Sequence, residues 1–128
     1  MVIDSSAVIA IFFDEPEKMT FLQAMVRDRR RLISAATLLE VEVVLARRQG
    51  QESIGILNDF LERLRIEIVP FDAAQSKIAR EGFRRFGKGQ NRAGLNFGDC
   101  FSYGLAKQSD EPLLFKGDDF SQTDLRIA

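Results

Sequence analysis

Histidine is missing from all 128 residues, tryptophan is missing too, and there is one cysteine. Each absence excludes a class of chemistry. Without histidine there can be no Ser-His-Asp triad, no Cys-His pair and no imidazole acid–base step. Zinc centres of the usual Cys/His kind go with it, since Cys100 alone remains as a soft ligand. A lone cysteine cannot close an internal disulfide, so nothing calls for an oxidising compartment. No apolar run approaches membrane-spanning length, and Met1-Val2-Ile3-Asp4 has neither the basic start nor the apolar stretch of a secretory signal. The expectation is a soluble, cytoplasmic protein with no membrane contact. Chemistry is left to carboxylates, hydroxyls, lysine or a hard metal ion held by oxygen.

What is present suits one domain over residues 1–128. Hydrophobic residues make up 45% of the chain and 11 of them are phenylalanine, enough for a core without staples. Val2-Ile3 is too short for anything but a strand, and Ser5 or Ser6 can cap a helix running to about Asp14. Pro16 fits the first turn of a second helix carrying Met19, Leu22, Met25 and Val26. Leu32-Ile33-Ser34 reads as a strand, followed by a helix over about 37–48 that Gly50 ends. A helix over 53–65, a strand over 66–69 and a helix opened by Asp72 with Gln75 come next. A polar loop over 88–94 leads to a helix over about 96–109, and Pro112-Leu113-Leu114-Phe115 is the last strand. Strands alternating with helices predict an α/β fold, with a mainly parallel central sheet of four to five strands flanked by helices.

Ligands of such sheets bind beyond the carboxyl ends of the strands. Asp4 closes the first strand, Glu40 lies in the opening turns of the helix after the second, and Asp118 and Asp119 follow the last. Asp99 sits in the first turn of the helix beginning near Asn96. Gathered carboxylates oppose one another's ionisation, and a divalent cation resolves the conflict. Such an ion activates water and stabilises charge on a phosphoryl oxygen, which is hydrolytic chemistry without histidine. Singly, each acid has a plainer role: Asp4 as a helix cap, Asp99 as a dipole partner, Asp118 and Asp119 as turn residues after Gly117. Glu40 lies on a helix apolar almost all round, expected in a core or an interface, and Glu42 shares it. Helical spacing does not choose between them.

Three segments together resemble the PIN-domain family, specifically VapC-type toxins of toxin–antitoxin pairs. They are Val2-Ile3-Asp4-Ser5-Ser6-Ala7, the stretch Asn96-Phe97-Gly98-Asp99-Cys100-Phe101-Ser102-Tyr103-Gly104-Leu105-Ala106, and Leu113 to Phe120 with Thr123-Asp124 after it. The resemblance covers essentially the whole chain, in order. It implies a Mg²⁺- or Mn²⁺-dependent endoribonuclease held inactive by a cognate antitoxin, a homodimer, and contact with DNA only through the antitoxin. It makes Asp4, Glu40 and Asp99 the central catalytic and metal-binding acids and favours Glu40 over Glu42. Ser6 matches a small polar position beside the first acid. For the fourth acid it implies Asp118, with Asp119 as second choice.

Net charge is −1, so any polyanion must be met by a local patch. From Arg84 to Asn96 there are Arg84, Arg85, Lys88 and Arg92 and no acid, with Gly87, Gly89 and Gly94 giving a flexible loop. This strip, with Lys116, is a candidate for RNA phosphates, and equally a solvated surface. Helical phenylalanines beyond what a core needs point to an interface. Two other readings stand beside the nuclease. One is a catalytically weak PIN-fold binding module acting on DNA through an antitoxin complex. The other is a receiver-like signalling domain, which would require an acid closing a central strand, and the strands at 32–34 and 66–69 lack one.

Overall fold

A computed structural model describes every residue but Gln90. Its central sheet has four strands, β1 (Val2–Ile3), β2 (Arg31–Ser34), β3 (Ile66–Val69) and β4 (Leu113–Leu114), in the order β3-β2-β1-β4. Every pairing is parallel, with Val2 opposite both Leu32 and Leu113. β1 is only two residues long, yet it lies in the middle of the sheet and is fully buried. Parallel strands covered on both faces read as short apolar runs, which is what these residues supply.

Six helices flank the sheet: α1 (Ser5–Phe12), α2 (Lys18–Arg27), α3 (Ala35–Gln49), α4 (Glu52–Arg63), α5 (Ala73–Phe86) and α6 (Phe97–Ser109). They divide the interior into two cores. One joins Ile3 and Ile33 with Val8, Met25, Val41, Leu45 and Leu57; the other joins Val2, Leu32 and Leu113 with Phe86, Leu95, Tyr103 and Phe120. Neighbouring residues of one strand thus serve opposite cores, the alternation a strand imposes.

Local chemistry sets the helix ends, and some differ from the sequence expectation. Asp4, not Ser5 or Ser6, caps α1, accepting the Ser6 amide at 3.0 Å. Pro16 lies in the turn before α2, with Glu17 as the cap, rather than inside its first turn. Asp72 caps α5 through the Gln75 amide at 2.8 Å, but the Gln75 side chain donates to the Pro70 carbonyl at 2.9 Å instead of closing a box. The full reciprocal capping box is at α6, between Asn96 and Asp99. α3 is not buried all round, because Leu39 and Val43 are exposed on its outer face.

The α5–α6 packing brings the first turn of α6 to the sheet edge. At Gly82 a Cβ would lie 2.3 Å from the Tyr103 ring, and at Gly104 one would lie 3.1 Å from the Gln75 carbonyl. The helices cross this closely only because both positions lack side chains. The 88–94 loop between them, of which Gln90 lies outside the described residues, is tied at both ends. Lys88 N–H donates to the Leu95 carbonyl at 2.8 Å and Leu95 N–H to the Phe86 carbonyl at 3.0 Å.

Candidate active site

Parallel pairing puts the carboxyl ends of β1, β2 and β4 on one edge, and a cavity of about 480 Å³ opens there. Asp4, Ser5 and Ser6 line it from the β1–α1 junction, Glu40 from α3, Asn96 and Asp99 from the start of α6, and Lys116, Gly117, Asp119 and Phe120 from the segment after β4. Glu15 closes the far side. Four carboxylates expected from the sequence to converge on an ion, or their immediate neighbours, therefore share one hollow.

Asp4 is the most constrained of them. It is 3% exposed. Its Oδ2 accepts the Ser6 amide at 3.0 Å and the Ser6 hydroxyl at 2.6 Å, while Oδ1 accepts the Ser102 hydroxyl at 2.6 Å. Ser6 in turn accepts the Lys116 amide at 2.9 Å, tying the α1 start to the segment after β4. Asp4 is thus a helix cap and a cavity acid at once.

Asp99 is buried at the N3 position of α6, where its Oδ2 accepts the Asn96 amide at 2.9 Å. Burial pushes its carboxyl up to about 7; the Asn96 amide pulls the other way, and the charges of Asp4, Asp119 and Glu40 add to the rise. Glu40 is raised as well, by desolvation and then by Asp4. Its carboxyl folds over the backbone of Gly98, where a Cβ would stand 2.9 Å from Oε2. Gly98 therefore lets the α3 acid approach the α6 start, a role no spacing in the sequence marks.

The two candidates for the fourth acid are placed differently. Asp119, not Asp118, lines the cavity, and its charge reaches Asp99. Gly117 turns the chain at φ +98°, Phe120 is buried against Phe115 with ring centroids 5.1 Å apart, and the Asp118 carbonyl is taken by Ser121. The buried Phe120 fixes the turn so that Asp119 faces the hollow. Glu42 lies elsewhere, beside Val43, Ala46, Gln51 and Ile54.

Of the five cations expected to meet phosphate, only Lys116 lines the cavity, and it is engaged by Glu15 and, at 3.1 Å, by Glu17. Arg84 and Arg85 belong to the last turn of α5. Arg84 pairs with Glu81 at 2.6 Å; Arg85 pairs with Asp124 at 2.9 Å and stacks over Phe86. Lys88 and Arg92 are exposed on the loop beyond.

The donor set suits a hard cation: oxygen only, carboxylate-rich, and with Asp4, Glu40, Asp99 and Asp119 in no salt bridge among the described residues. No three acidic side chains there are already drawn into one ligating cluster. Glu40 and Asp119 are the more exposed of the four, whereas Asp4 and Asp99 are buried and held by hydrogen bonds.

Residues 1–125 match the PIN domain family. The chain belongs to that family. Within it, the chain is 48% identical over 125 residues to ribonuclease VapC30 of Mycobacterium tuberculosis, covering 98% of this chain and 95% of that one. A ribonuclease VapC of Mycolicibacterium smegmatis is 47% identical, covering 98% and 97%. Among solved structures, the fold matches M. tuberculosis VapC20, described as a sarcin–ricin loop cleaving toxin, with a TM-score of 0.77 at 17% identity over 99% and 97% of the two chains. It also matches VapBC2 of Rickettsia felis, solved on a DNA fragment from its promoter, with a TM-score of 0.75 at 17% identity over 98% and 94%. This is a VapC-type PIN domain, so the receiver-like reading falls.

Proposed function

We propose that the protein is the ribonuclease toxin of a toxin–antitoxin pair, hydrolysing RNA phosphodiesters with Mg²⁺ or Mn²⁺ at the acidic cavity. The observation that carries this reading is the meeting of Asp4, Glu40, Asp99 and Asp119 on one hollow, in a chain whose 48%-identical relative is a ribonuclease. Asp4 and Asp99 would hold the ion, with Glu40 and Asp119 completing the set. When bound, such an ion supplies positive charge to a phosphoryl oxygen and acidifies water.

The chain's own groups divide the remaining work. Ser6 holds the Asp4 carboxylate in one orientation, and the Asn96 amide does the same for Asp99. Glu40, which lines the cavity, would reach the ion through the attacking water, orienting that water and accepting its proton. With no histidine to relay a proton from a ribose hydroxyl, water is the nucleophile; products ending in 2′,3′-cyclic phosphate would contradict that route. Lys88 and Arg92, in no salt bridge among the described residues, would meet the RNA backbone, while Arg84, Arg85 and Lys116 would have to leave carboxylate partners to take part.

We extend the proposal to partners. A cytoplasmic antitoxin holds the toxin inactive, DNA is met only through that complex, and two copies associate through exposed apolar side chains of α3 and α6, Leu39, Val43 and Phe97. No helix among the described residues is long and apolar enough to cross a membrane.

The test is cleavage of a broad RNA pool by protein freed of any partner, with Mg²⁺, Mn²⁺ or EDTA. Metal-dependent cutting that falls at least a thousandfold in both Asp4→Asn and Asp99→Asn is expected. Asp119→Asn should cost far more than Asp118→Asn. Cutting that survives in both Asp4→Asn and Asp99→Asn would sink the proposal, and folded protein that cuts nothing would favour the binding-only module.

A further inference from the structure

Two hydroxyls below the cavity floor have no part in the chemistry described so far. Ser102 and Thr37 are both fully buried, their oxygens lie 3.3 Å apart, and Ser102 donates to Asp4 Oδ1 at 2.6 Å. A ligating carboxylate only accepts, so the Ser102 proton points to Asp4, and Thr37 must supply the proton between the two hydroxyls. The chain of donors runs in one direction, from Thr37 to Ser102 to Asp4.

Its placement is informative. Thr37 stands three residues before Glu40 on α3, and Ser102 three residues after Asp99 on α6, so each lies on the same helix face as an acid. The two meet under Asp4, the acid of the β1–α1 junction. One relay therefore pins together the three elements that carry the buried and central acids. Oδ2 of Asp4 already takes two donors from Ser6, whereas Oδ1 takes Ser102 alone and keeps a lone pair. Two buried hydroxyls cost desolvation that an alanine and a valine would avoid, and what that cost secures is the orientation of Asp4.

We infer that Ser102 and Thr37 are positioning residues that orient Asp4 Oδ1 toward the divalent ion and set the spacing of Asp4, Glu40 and Asp99 around it. This rests on the metal-dependent reading above. Hydrogen-bond partners of ligating carboxylates typically change metal affinity or activity about 10- to 100-fold when removed.

The experiment is Mn²⁺ titration by electron paramagnetic resonance on the full chain freed of any partner, with thermal unfolding and RNA cleavage on the same samples. Ser102→Ala should weaken Mn²⁺ binding about 10- to 100-fold. The Mn²⁺ needed for half-maximal cleavage should rise in step, with KM for RNA unchanged. Thr37→Val keeps the shape and loses the hydroxyl, so it should weaken Mn²⁺; Thr37→Ser keeps the hydroxyl and loses the methyl, so it should bind as the wild type does. Folded Ser102→Ala with wild-type Mn²⁺ affinity would overturn the inference, as would Thr37→Ser binding no better than Thr37→Val. Should Ser102→Ala not fold, the Thr37 pair decides alone. Asp99→Asn separates the two levels: wild-type protein that binds Mn²⁺ no better than Asp99→Asn removes the metal reading, and the relay with it.

Discussion

Asp99 concentrates the electrostatic cost of the site. Its carboxyl is raised from 3.8 to about 7, so between those values the folded protein holds a proton that the unfolded chain has released. Stability of metal-free protein must then fall as pH rises from about 4 to about 7 and level off above, by at most about 4 kcal/mol. Asp99→Asn removes that slope: in EDTA at pH 8 it should unfold at higher urea than the wild type, with the difference vanishing near pH 4. A variant less stable than wild type at pH 8 would mean that the capping bond to Asn96 outweighs the repulsion. At this scale the sequence was only partly legible. Asp4 and Asp99 stand out because each falls at a strand or helix end, whereas Glu40 is separated from Glu42 only by the family resemblance. Asp118 and Asp119 are adjacent in a turn, and what separates them is the burial of Phe120, a tertiary fact. Ser102 and Thr37 carry no pattern at all, being hydroxyls 65 positions apart.

Elements show the same division between local and long-range causes. The strands and helices were readable because apolar runs, caps and glycine stops are local signals, and their bounds shift by only a few residues. What the sequence does not mark in the basic strip is a long-range partner: Arg85, at the end of α5, pairs with Asp124, 39 residues on. Asp124 also accepts the Tyr103 hydroxyl at 2.9 Å and Lys107 at 3.3 Å, fastening the tail to α5 and α6. Burial opposes ionisation of Asp124, but these three donors hold it below the usual carboxylate range. The same Tyr103 ring lies over Gly82. Gly82→Ala should therefore destabilise the fold by about 1–3 kcal/mol, although alanine is the better helix former by about 1 kcal/mol. Chemical denaturation checks this, and a stabilised variant would show that α5 and α6 can part without cost.

The molecule as a whole presents an acidic hollow beside an apolar shelf. Phe97 is 80% exposed two residues from Asp99, with Leu39 and Val43 across from it on α3. A homodimer through this shelf predicts a solution mass twice the 14.5 kDa of the chain, falling to one chain in Phe97→Asp. Light scattering on the two proteins decides, and a Phe97→Asp variant that stays dimeric places the contact elsewhere. The shelf was anticipated only as a surplus of phenylalanine; which rings stay outside depends on how α5 and α6 pack, and no periodicity reveals that.

The central position of β1 has a consequence in time. Its partner β4 lies about 110 residues further on, and the Lys116 amide that steadies Ser6 is equally distant along the chain. Asp4 and Asp119, which line the same cavity, are comparably remote from one another in the sequence. Pairings this remote form late, after most of the chain is free to search for them. The acidic hollow is therefore complete only once β1 and β4 have paired, which makes assembly of the site a late step of folding.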